Sequence, residues 1–138
     1  MDASIIILLA VIIVLGAVLF ALVTLGKHGG RLDVEKYRVK WLAIEQSLDR
    51  NDEMTCHLAV LNADKLVDQA LRELGYPGET MGDRIKATRG KLSHRDELWS
   101  AHKLRNRIAH ESDVRVNYNQ ARRALAGFKR TLKDLGAI

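Results

Sequence analysis

The chain has one cysteine and one proline in 138 residues. A single cysteine, Cys56, cannot close an intramolecular disulfide, which suits a reducing compartment. No cysteine cluster supports a zinc site. His57, His102 and His110 are poor ligand candidates, because His102 and His110 lie eight apart rather than the four of a two-ligand helix. No metal or other cofactor is therefore expected. Gly78, Gly82 and Gly90 are not followed by Gly-Lys-Ser/Thr, which excludes a phosphate loop. Ser93 and Ser100 lack a nucleophile elbow. Strand-like alternation, internal repeats and low-complexity tracts are all missing, so the expected class is all-α.

Charge is missing from Ile5 to Leu25, 21 residues in which Thr24 is the only hydroxyl. At about 1.5 Å per residue such a helix crosses the roughly 30 Å hydrocarbon core. Residues 1–26 are read as a transmembrane helix. A cleaved signal peptide would want a basic start, and here there is Asp2 with no Lys or Arg. All 22 Lys and Arg, against 16 of the 17 acids, come after Gly26, an excess of six basic residues. Basic residues flanking only the C-terminal side predict an external N-terminus and a cytoplasmic domain at the cell membrane. That charge permits RNA or anionic headgroups as partners without demanding either.

Residues 27–32 read as a juxtamembrane hinge, and residues 33–138 as a helical bundle. Val34, Tyr37, Trp41, Ile44 and Leu48 share one helical face, with Asp33 as N-cap. A second helix runs from about Glu53 to Leu74 and stops at Gly75. Thr80 and Asp83 cap a short helix. Ser93 and Asp96 suggest the same capping pattern for a third long helix ending near His110, with Leu98, Ala101, Leu104 and Ile108 on its buried face. Asn117 to Gln120 cap a fourth, and Gly136 ends it. Four amphipathic helices with short joins predict a four-helix bundle. Trp41 and Trp99 are expected in its core or at a dimer contact.

The most informative stretch is Arg105-Asn106-Arg107-Ile108-Ala109-His110. An imidazole can take a proton from a 2′-hydroxyl or give one to a leaving oxygen, and a guanidinium can grip the phosphate oxygens. His102, Asn106 and His110 line one edge of the helix. Arg105 and His110 are five apart, about 140° around an ideal helix. They converge only if the helix turns before His110 or if two copies face each other. The plain alternative is helix-end ion pairing near Glu111 or Asp113, or the helix dipole favouring a histidine. Asp64 and Asp68 share an edge of the second helix. An ion pair between Asp68 and Arg72 is expected, and either acid could order Arg105 if the helices adjoin.

The run Leu104 to Glu111 resembles the signature of HEPN domains (higher eukaryotes and prokaryotes nucleotide-binding), an Arg followed four to six residues later by His and often beginning Arg-Asn. Ala63 to Leu71 is similar to the preceding long helix of such domains. The resemblance covers about residues 33 to 136 and leaves the apolar segment outside. It implies an up-and-down four-helix bundle that dimerises. In catalytic members it implies a metal-independent endoribonuclease with a composite cleft. Carried over, Arg105 would hold the phosphate, His110 would be the acid/base, and Asn106 would assist. His102, Arg107, Asp64 and Asp68 are accessory or RNA-contacting candidates. Ser112 stands where one toxin subgroup has a tyrosine, so modification there is not implied. Other members are non-catalytic binding modules. Because nothing beyond the Arg-His pair signals catalysis, the expected function is a tethering or interaction module for a protein partner at the cytoplasmic membrane face. The alternative is an RNA-binding protein or ribonuclease.

Overall fold

A computed structural model describes residues 3–25 and 30–138, which include six helices and no strand. Helix α1 (Ala3–Leu25) is apolar throughout, and no other helix packs against it among the described residues. No residue of its candidate spanning stretch, Ala3–Val23, is buried against the rest of the chain. It is long and apolar enough to cross a membrane. Of the expected hinge, Lys27, His28 and Gly29 lie outside the described residues, as do Met1, Asp2 and Gly26.

The other helices are α2 (Val34–Gln46), α3 (Glu53–Glu73), α4 (Met81–Ala87), α5 (Arg95–His110) and α6 (Tyr118–Asp134). Their starts follow local chemistry. The side chains of Asp33 and Asp52 accept from the backbone N–H groups of Lys36 and Met54. Thr80 with Asp83, and Asn117 with Gln120, form complete capping boxes. Gly75 and Gly136 take φ of 79° and 70° just past α3 and α6, where a side chain would be strained. The capping expected at Ser93 is not formed. Helix α5 starts at Arg95 after His94, which makes no side-chain cap. Ser93 donates its backbone N–H and its hydroxyl to Asp134 at the end of α6 instead, so a tertiary partner has displaced the local one. Val34, expected on the packed face of α2, is exposed.

Helix α3 packs against α2, α4, α5 and α6, which makes it the centre of the domain. Its small buried residues, Ala59, Ala63 and Ala70, let these neighbours approach. Phe128, Leu132 and Leu98 fill the space between α3, α5 and α6 with no exposed surface. Gly127 permits the close approach of α6 to α5, since a Cβ there would lie 3.1 Å from the Glu97 carbonyl oxygen. One end of the domain is marked by the Lys36–Glu73 ion pair and the Ser93–Asp134 bonds. The other end is marked by the Val116 N–H donated to Glu53. Cross-links at both ends fix the helices along their axes, and with them the register of α3 against α5.

Cys56 sits in this core with 1% of its surface exposed, and burial pushes its thiol up from the ordinary range. The folded protein is therefore expected to resist a thiol reagent at pH 8, while denaturant exposes one rapidly reacting thiol. Fast labelling without denaturant, read by mass, would contradict this packing.

Candidate functional site

The residues singled out in the sequence, Arg107 excepted, meet in an open cleft of about 870 Å³ along α3, α4 and α5. Its floor is a closed polar ring. The Asp64 carboxylate, 4% exposed, is hydrogen-bonded to His102 Nδ1 at 2.7 Å and forms an ion pair with Arg105 Nε at 3.2 Å. Arg105 also donates through Nη1 to Asn106 Oδ1 at 3.0 Å. Asn106 Nδ2 lies 3.3 Å from His102 Nε2 and closes the ring.

Local structure makes this ring possible. His102 and Asn106 are one turn apart on α5, and Arg105 adjoins Asn106. Asp64 comes from α3, and its side chain points into the domain because α3 is covered on several sides. A buried carboxylate needs charged or hydrogen-bonding partners, since its desolvation is otherwise uncompensated. Here it has a guanidinium and an imidazole N–H. The ring has one internally consistent assignment. Arg105 can only donate, so Asn106 presents Oδ1 to it and its amide N–H to His102 Nε2. Nε2 must then accept, which leaves the proton of His102 on Nδ1, facing Asp64.

A second ion cluster stands beside the first. Arg84, on α4 and 4% exposed, meets both oxygens of Asp68 through Nε at 2.7 Å and Nη2 at 3.1 Å. Its Nη1 donates to the Gly78 carbonyl. Gly78 has φ of 144°, and a Cβ there would lie 2.5 Å from that of Asp83, so only glycine fits this turn. Arg72 adds the expected pair to Asp68 at 2.7 Å from a largely exposed side chain. Asp68 is thus a clamp between α3 and α4, and it does not reach Arg105.

The rim of the cleft carries Trp99, His110 and Lys103. The Trp99 ring lies 5.9 Å from that of His102, and Lys103 Nζ lies 6.0 Å over it. Trp99 therefore sits partly open in the cleft rather than wholly in the core, while Trp41 is buried as expected. His110 is the last residue of α5 and exposed. Among the described residues it has no hydrogen bond or ion pair. Arg107 points elsewhere. It pairs loosely with Glu111 at 3.6 Å and does not line the cleft. His57 pairs with Glu53 at 3.7 Å, and no group of three or more metal-ligating side chains is found among the described residues.

Trp99, Lys103 and Arg84 were not singled out for the site from the sequence. Trp99 was legible, lying three residues before His102 on the His102, Asn106, His110 edge. Arg84 was not, because it is sixteen residues from Asp68 and meets it only through the packing of α4. Chemically, the cleft offers a fixed cation, one accessible imidazole and an aromatic face over a floor whose polar groups already satisfy one another.

No family model, curated protein or solved structure matches the chain.

Proposed function

We propose that this chain is a single-pass membrane protein whose cytoplasmic part is an HEPN-like, up-and-down four-helix bundle of α2, α3, α5 and α6, working as a non-catalytic interaction module. The observation that carries this reading is the commitment of Arg105 to the buried Asp64. A guanidinium that neutralises a buried carboxylate cannot leave it for a phosphate without stranding that charge. His102 and Asn106 are held in the same ring. Phosphodiester transfer needs one group to accept a proton and another to give one. Among the described residues, His110 is the one imidazole in the cleft of a single copy that lies outside the ring. Support for the bundle comes from the paired helix ends, and support for the anchor comes from the uncovered apolar α1.

A second reading has one observation in its favour. Arg105 and His110 line the same cleft, and Arg105 keeps 34% of its side chain exposed. In a dimer, two such clefts could supply two imidazoles and act as a metal-independent endoribonuclease.

The full chain in detergent, incubated with total RNA in EDTA, decides between them. The expected result is no cleavage above that of His110→Ala. Cleavage by the parent that is lost in both His110→Ala and a folded Arg105→Ala would overturn the interaction reading and establish the ribonuclease.

A further inference from the structure

We propose that the end of the domain from which the chain leads to α1 is a docking surface for anionic phospholipid headgroups, contacted by Lys86, Arg89 and Lys91. The inference goes beyond the interaction reading and rests only on its membrane anchor.

The charge distribution is the first argument. Residues 84–95 contain Arg84, Lys86, Arg89, Lys91 and Arg95 and no acid. Arg84 is consumed by Asp68. Lys86, Arg89 and Lys91 are exposed, and none takes part in an ion pair among the described residues. Four nearby acids are engaged within the protein. Asp33 caps α2, Glu73 holds Lys36 and Gln69, Asp83 caps α4 through Thr80, and Asp134 accepts from Ser93. Glu35, Glu79 and Asp96 are exposed at this end as well, in the first turn of α2, the loop before α4 and the first turn of α5. The basic side chains face solvent along a segment that itself carries no acid.

Position is the second argument. Gly30 packs against the end of α3, so closely that a Cβ would lie 2.6 Å from the Glu73 carbonyl oxygen. Tyr76 follows three residues later, and Lys91 Nζ lies 5.4 Å over its ring. The chain therefore enters the domain beside the basic segment. Five peptide steps separate Leu25 from Gly30, a reach of at most about 18 Å. Electrostatic screening acts over about 8 Å at physiological salt. A tether this short holds the segment within a few screening lengths of the headgroups on every encounter. An RNA backbone carries the same charge, but nothing holds RNA at this end of the domain.

The test uses the full chain in nanodiscs of phosphatidylcholine alone, or mixed with an equal amount of phosphatidylglycerol. Trypsin cleavage after Arg89 and Lys91 is followed by mass spectrometry. Arg115, exposed in the loop at the opposite end, is the internal reference. The expected result is that phosphatidylglycerol slows cleavage after Arg89 and Lys91 by about fivefold or more, leaves Arg115 unchanged, and loses its effect at high salt. Equal rates in the two discs would overturn the lipid surface while leaving the anchor intact. So would protection by added RNA in pure phosphatidylcholine without protection by phosphatidylglycerol. A chain that stays soluble without detergent and does not enter either disc would overturn the anchor itself, and the docking surface with it.

Discussion

Asp64→Ala is expected to cost about 2–4 kcal/mol of folding stability, read as a lower urea midpoint by circular dichroism. Breaking a buried charge pair from one side leaves the other partner without compensation, typically about 3–5 kcal/mol. Here the figure is reduced because Arg105, with a third of its side chain exposed, can turn to water. His102 cannot, since its side chain is 9% exposed and its Nδ1–H would lose the carboxylate that accepts from it. Asp64→Asn is expected to recover part of the loss, because the amide oxygen still accepts from one partner. A Asp64→Ala variant as stable as the parent would mean the polar ring contributes nothing. The freed Arg105 of this variant is also informative. If RNA binding appears only when Asp64 is removed, the ring is what keeps the cleft from being a phosphate site.

Arg84→Ala should destabilise the domain by about 3 kcal/mol, whereas Arg72→Ala should change it by no more than about 0.5 kcal/mol. Both arginines meet Asp68 at 2.7 Å, so distance does not separate them. Exposure does: the Arg72 side chain is 64% exposed and that of Arg84 5%. A solvated pair gains little over its hydrated ions, and the side chain loses rotamer freedom in making it. The buried guanidinium bonds both carboxylate oxygens and the Gly78 carbonyl, tying α4 and its preceding turn to α3. Its loss is expected to loosen α4 before the rest. Hydrogen exchange should report faster exchange around residues 81–87 at conditions where α3 and α6 remain protected. Equal effects of the two substitutions would show that α4 is held by Met81 and Ile85 alone.

The two ion clusters bear on function in different ways. The Asp68 cluster ties α4 to α3 along the wall of the cleft. The Asp64 ring lines the open cleft, and its state decides whether Arg105 serves the fold or a bound anion. The proposed interaction module and the ribonuclease reading therefore differ over one contact, and Asp64→Asn tested for RNA cleavage beside the parent probes that contact directly.

Much of the fold follows from neighbours within four residues. The apolar run of α1, the caps at Asp33, Thr80 and Asn117, and the stops at Gly75 and Gly136 are local chemistry, so they were legible without tertiary information. Ser93 shows the limit of that reading: its capping pattern is locally plausible, yet Asp134, 41 residues away, takes its hydrogen bonds. That His102, Asn106 and His110 share one helical edge was likewise visible from their spacing, whereas Arg105 and His110 lie about 140° apart on an ideal helix. Their roles were not. Whether Arg105 faces a ligand or a carboxylate depends on the rotation and register of α3 against α5, which set Asp64 beside two residues about forty positions on. Side-chain packing between helices fixes that rotation, and no local pattern encodes it. Sequence alone thus determined where most of the helices begin and end and which chemical groups share an edge. Only the tertiary structure decided which charges are satisfied inside the protein, because burial, set by packing across distant segments, makes a carboxylate claim its partners.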